Sequence, residues 1–63
     1  MNEAAKLITM ARYIARRKVK EHLTACGIKP QQMEPSDIWK ATDVFLQVRK
    51  AELIAEARRI RSR

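Results

Sequence analysis

Helix-breaking residues are almost absent from this sequence, and the few that occur lie together. The single Gly and both Pro fall between residues 27 and 35. The segments on either side contain neither residue and are rich in Ala, Leu, Ile, Lys and Arg, which favour helix. So few turn-forming residues exclude a sandwich or barrel of many short strands. The sequence therefore predicts an all-α fold with two helices, over about residues 2–26 and 37–60.

Local signals indicate where these helices begin and end. Asn2 is expected to cap the first helix, and Gly27 is expected to end it in the left-handed conformation that only Gly adopts without steric cost. Ser36 is predicted to cap the second helix. Because two helices of similar length are joined by the segment 27–35, an antiparallel two-helix hairpin is the simplest arrangement. The chain is then one helical-hairpin domain, 1–63, with a basic C-terminal tail at 58–63.

The second predicted helix carries two apolar stripes. One follows three–four spacing and comprises Ile38, Ala41, Phe45, Val48 and Ala55. The other, the heptad stripe, recurs every seven residues and comprises Trp39, Leu46, Leu53 and Ile60. A single partner helix covers only one stripe, so we expect the heptad stripe to form an interface with another chain. Self-association into a helical bundle, or binding to a larger partner, would complete the core of the hairpin.

The positive charge is unevenly distributed along the chain. Lys and Arg number 14 against 7 acidic residues, which gives a net charge of +7. This excess is concentrated in the first helix and in the C-terminal tail. In the helix, Arg12, Arg16 and Lys20 recur at about 6 Å intervals along one face, close to the spacing of successive phosphates. The antiparallel hairpin would return the basic tail to the start of this helix. The residues predicted to bind nucleic acid or another anionic partner are Lys6, Arg12, Arg16, Arg17, Lys20, Arg58, Arg59, Arg61 and Arg63.

Three interpretations of this basic surface stay open. The first, which we favour, is a small non-catalytic nucleic-acid-binding protein that contacts the phosphate backbone and reads few bases. The second is a protein-interaction module, such as an inhibitor, adaptor or small assembly subunit, that docks on an acidic protein surface. The third is a solvated face that serves solubility alone. A helix-turn-helix is not expected, because the connection is too long and no third helix is predicted.

Several other classes of protein are not indicated. The single His22 has no nucleophile in a catalytic relation apart from Cys26 on its own helix, and there is no Gly-rich phosphate loop, so we predict no enzyme and no cofactor. One Cys and one His do not complete a four-ligand zinc site in one chain. Neither a bilayer-spanning apolar run nor a secretory signal is evident, so a cytoplasmic location is expected, with no membrane or small-molecule partner.

Overall fold

The structure, a computed structural model, describes residues 2–62 and contains three α-helices within them. Helix α1 spans Glu3–Ala25, α2 spans Pro35–Val48 and α3 spans Lys50–Arg61, with a 3₁₀ turn at Pro30–Gln32 between α1 and α2. The all-α class predicted from the sequence is confirmed. The predicted second helix, however, is divided into two.

The ends of α1 lie where the sequence predicts them. The side-chain Oδ1 of Asn2 accepts a hydrogen bond from the backbone N–H of Ala5 at 2.8 Å, which caps the first turn. At the other end, Gly27 has a φ of +84°. Beyond it, the N–H of Ile28 reaches the carbonyl oxygen of Leu23 at 2.9 Å, the long-range bond of a Schellman motif. Asn2 and Gly27, which were predicted to cap the two ends of α1, therefore do so.

The start of α2 differs from the prediction. Glu34, with φ −65° and ψ 133°, is the N-cap, and Pro35 occupies the first helical position. The fixed φ of Pro suits that position, where the missing N–H has no helical partner in any case. Ser36 therefore lies inside the first turn and is not the cap, so its prediction as the N-cap is wrong.

A kink at Arg49 interrupts the helix predicted over residues 37–60. Arg49 has φ −117° and ψ 26°, whereas its neighbours are helical. Hydrogen bonds from its N–H to Phe45 (2.9 Å) and from the N–H of Leu53 to its carbonyl (3.0 Å) flank the break. No Pro or Gly marks this position. The kink therefore comes from tertiary packing, which overrides local helix propensity.

Helix α1 packs against both other helices, and the kink makes this possible. α3 runs antiparallel to α1, because Glu56 contacts Lys18 at 3.4 Å whereas Arg61 reaches Glu3 at 2.9 Å. If α2 and α3 formed one straight helix, Trp39 would lie at or beyond the C-terminal end of α1. Its ring instead lies against Arg12, well inside α1. Three helices thus replace the predicted two, and the antiparallel arrangement is established for α3 on α1.

The core forms where α3 meets α1, and it includes part of the heptad stripe. Its buried residues are Leu7, Ala11, Ile14, Ala15, Leu53 and Ala57. Leu53 is only 2% exposed, and Leu46 packs against the same cluster. Trp39 is half-buried, and Ile60, at 39% exposure, is the exposed member of the stripe. The expectation that the whole heptad stripe faces another chain is therefore wrong, since Leu53 and Leu46 are packed within their own.

The stripe that was expected to be covered is instead largely exposed. Ile38 is buried at 4% exposure, as predicted, and Phe45 is half-buried. Ala41, Val48 and Ala55 are exposed. Each stripe is therefore split between buried and exposed positions, because α2 turns its Ile38, Thr42 and Leu46 side toward α1.

Candidate nucleic-acid interface

Two Arg side chains of α1 and the indole of Trp39 form the best-defined part of the basic surface. Cζ of Arg12 lies 4.2 Å from the ring centroid and Cζ of Arg16 lies 4.9 Å from it. Both distances fall within the roughly 6 Å range of cation–π attraction. Because the two Arg are four residues apart, the ring holds two guanidinium groups about one helical turn from each other. We refer to Arg12, Arg16 and Trp39 as the arginine–tryptophan cluster.

Arg12 is also engaged by an acidic side chain of α2. Its Nε donates a hydrogen bond to Oδ1 of Asp43 at 3.0 Å, and its Nη2 lies 3.5 Å from Oδ2. This two-point geometry suits a guanidinium and a carboxylate. The pair is close to half exposed, at 45% and 54% of the two side chains. Arg12, predicted as a phosphate contact, therefore has its charge locally balanced and holds α2 against α1.

Arg16 and Lys20 have no such partner. Neither makes an ion pair with any acidic group in residues 2–62. Nε of Arg16 is buried without a hydrogen-bond partner in that range, while the guanidinium lies over Trp39. Lys20 follows one turn later on α1 and is half-buried. These two residues supply the uncompensated positive charge on this side of the molecule.

An exposed aromatic ring borders the cluster. Tyr13 is 61% exposed, and its ring meets Trp39 edge to face, with centroids 5.9 Å apart and planes at 79°. Edge-to-face contact is a favourable geometry for aromatic pairs. The sequence places Tyr13 on the basic face of α1, but it does not reveal that Trp39 joins it. Predicting that pair required the packing of α2 on α1, which brings together residues far apart in the sequence.

Arg17 belongs to an ion-pair group between α1 and α3. Its Nε lies 3.9 Å from Oε1 of Glu21, and its Nη2 lies 3.8 Å from Oε1 of Glu56. Glu56 also forms an ion pair with Lys18, whose Nζ is 3.4 Å from Oε2. Arg17 was predicted to bind an anionic partner, and here it shares its charge with two carboxylates. More of its charge is therefore compensated within the chain than is that of Arg16.

The C-terminal end of α3 lies beside the start of α1. Nη1 of Arg61 is 2.9 Å from Oε1 of Glu3, and Arg58 lines a shallow depression with both. Arg59 lies beside Arg17, on another side of α3. Lys6 is exposed on α1. The predicted return of the basic tail to the start of α1 thus holds for Arg58 and Arg61.

Arg63, the last of the predicted binding residues, lies outside the described residues. A metal centre is not formed by the part of the chain that is described: no three of its His, Cys, Asp and Glu side chains converge. Sγ of Cys26 lies 3.7 Å from Nε2 of His22, as their four-residue separation in α1 predicts. Between residues 2 and 62, no helix combines the length and hydropathy that a membrane span requires.

Comparison with known proteins places no further constraint on this site. No protein-family model, curated protein or solved structure matches the chain. A functional interpretation therefore depends on the geometry and charge of the site itself.

Proposed function

We propose that this protein is a small, non-catalytic nucleic-acid-binding protein that contacts the phosphate backbone through the exposed basic side of α1. The observation that supports this most directly is the pairing of uncompensated charge with an aromatic surface. Arg16 and Lys20 lack acidic partners among residues 2–62, and Tyr13 lies beside them at 61% exposure. Phosphates bind Lys and Arg, and exposed aromatic rings stack on bases.

The position of Arg16 favours phosphate binding for a second reason. Its guanidinium is held over Trp39 and its Nε is buried, so the group has limited freedom. A side chain that is already ordered loses less conformational entropy when it binds. Its outer N–H groups suit the oxygens of a phosphate, which Arg contacts at two points. Lys20, one turn along α1, then adds a second contact at a spacing close to that of neighbouring phosphates.

A protein-interaction module that docks an acidic protein surface is the second candidate. It is favoured by the composition of the site, because Trp, Tyr and Arg are the residues most enriched at energetic hot spots of protein interfaces. Arg12, Tyr13, Arg16 and Trp39 have that composition and are adjacent. An acidic surface and a phosphate backbone would use the same cations, so the two functions differ chiefly in how binding depends on partner and salt.

A charge-matched pair of double variants tests the proposed function. Arg16→Gln with Lys20→Gln removes two charges from the site, and Lys29→Gln with Lys50→Gln removes two exposed charges elsewhere. Binding of a fluorescently labelled oligonucleotide is measured by anisotropy over a range of salt concentrations. We expect the site variant to bind more weakly than the control, with a salt dependence reduced by up to about two charges.

Two results would contradict nucleic-acid binding at this site. The first is a wild-type protein that binds no oligonucleotide at low salt, and the second is an equal loss of affinity in both double variants. If oligonucleotide binding is absent, titration against acidic proteins of defined sequence tests the second candidate. There, tight one-to-one binding that survives physiological salt is the expected result.

A further inference from the structure

An apolar groove lies on a different part of the molecule from the basic site. It is lined by Ala41, Val44, Phe45 and Val48 of α2 and by Val19 and Leu23 of α1. Val44 is 65% exposed and Val48 is 71% exposed. The four α2 residues follow the spacing i, i+3, i+4, i+7, which is the pattern of a helix face that packs against another helix.

The fold leaves this groove uncovered because α3 packs elsewhere. From the kink at Arg49, α3 runs toward the start of α1, as its contacts at Glu56 and Arg61 show. The C-terminal part of α1, around Val19 and Leu23, therefore has no helix on this side. Seven hydrophobic residues between positions 2 and 62 are buried, and three of them are Ala. A second helical surface over the groove would add larger side chains to a small core.

The charges along one edge of the groove indicate what kind of surface fits it. Lys18 and Arg49 line this edge, and they are paired with Glu56 at 3.4 Å and Glu52 at 3.3 Å. Arg17 also lies 3.8 Å from Glu56, so this edge carries charges of both signs in alternation, although the whole chain has a net charge of +7. A purely acidic partner would be repelled by the two Glu, and a purely basic partner would be repelled by Lys18 and Arg49.

Such an alternating edge is complementary to itself. A twofold axis brings the same surface of two copies together, so that a residue on one copy meets a different residue on the other. Lys18 and Arg49 of each copy can then face Glu52 and Glu56 of the second. We infer that the groove is a homodimer interface, in which α2 of each copy packs on the α1–α2 groove of the other. This interface does not depend on nucleic-acid binding.

The dimer is tested with charges placed inside and outside the groove. Val44→Glu and Val48→Glu each place a carboxylate in the proposed interface, where burial of an unpaired charge is unfavourable. Because both side chains are mostly exposed in the single chain and Glu is the better helix former, these changes should not unfold it. Gln47→Glu makes the same change of charge on an exposed position of α2 outside the groove lining.

Sedimentation equilibrium of nucleic-acid-free protein, over a range of concentrations, gives the dissociation constant of each variant. We expect wild-type protein and Gln47→Glu to dimerise alike, and both groove variants to weaken the dimer by at least about tenfold. Circular dichroism checks that the helices are retained. A monomeric wild-type protein would overturn the proposal and leave the groove to a different protein, and so would groove variants that dimerise as well as Gln47→Glu.

Discussion

Asp43 on α2 accepts a hydrogen bond from Nε of Arg12 on α1 at 3.0 Å, while the same guanidinium lies 4.2 Å from the centroid of Trp39. One carboxylate thus balances one of the cations in the arginine–tryptophan cluster. Because both partners are about half exposed, the pair is worth no more than about 1 kcal/mol to stability. The negative charge of Asp43 also lowers the positive electrostatic potential next to Arg16.

Asp43→Asn should strengthen nucleic-acid binding. The substitution keeps the shape of the side chain but removes its charge, so Arg12 becomes available to a phosphate. We expect tighter binding at low salt and a salt dependence that is steeper by up to about one charge. The free energy of unfolding should fall by less than about 1 kcal/mol. Anisotropy titrations over several salt concentrations and urea unfolding measure the two effects.

Glu34→Gln is the matched control for this prediction. It makes the same change of net charge at an exposed residue in front of α2, which forms no ion pair in the described part of the chain. If only the net charge of the protein matters, both variants should gain the same affinity for nucleic acid. If Asp43→Asn binds no better than Glu34→Gln, Arg12 does not take part in binding and the site is centred elsewhere.

Much of the fold follows from short-range sequence signals. The helical class, the extent of α1 and its caps at Asn2 and Gly27 are determined by residues close together in the chain, and all were predictable. The kink at Arg49 was not, because no local breaker marks it. It depends on how α2 and α3 share the surface of α1. Burial on α2 and α3 divides each stripe, with Ile38 and Leu53 buried and Val48 and Ile60 exposed.

The candidate site was predictable only in part, for the same reason. Its cations are visible in the sequence because Arg16 and Lys20 recur on one face of α1. The cations differ in the side chains that they contact. Those side chains lie on α2 or α3, as Trp39, Asp43 and Glu56 do. These contacts join residues distant in sequence, so helical periodicity carries no information about them. The Arg residues of α1 and of the tail therefore look equivalent in the sequence, although their contacts in the fold differ.

The left-handed cap of α1 gives the second prediction. Gly27 has a φ of +84°, and a Cβ added there would meet no atom within 4 Å. The cost of Gly27→Ala is therefore confined to backbone strain, and we expect a loss of about 1 kcal/mol in the free energy of unfolding. Gly27→Asn should cost less, because Asn tolerates this conformation better. Chemical unfolding of both variants measures the difference, and equal stability of Ala and Gly at this position would contradict the cap.

Two residues of the heptad stripe give the third prediction. Leu53 is 2% exposed and belongs to the core cluster, whereas Ile60 is 39% exposed. Truncating a buried Leu removes its packing and leaves a cavity, so Leu53→Ala should cost about 2–5 kcal/mol. Ile60→Ala should cost less, about 1 kcal/mol or below, because much of that side chain already meets water.

The concentration dependence of these losses distinguishes core packing from an interface along the heptad stripe. If Leu53 packs within its own chain, Leu53→Ala lowers the unfolding temperature at every protein concentration and leaves the dissociation constant of any dimer nearly unchanged. A residue in an interface would instead weaken association, because folding and association are then linked. Thermal unfolding and sedimentation at several concentrations separate the two cases. If Leu53→Ala and Ile60→Ala both weaken association of the chains and lose equal stability, the heptad stripe forms an interface with another chain, as its spacing predicts.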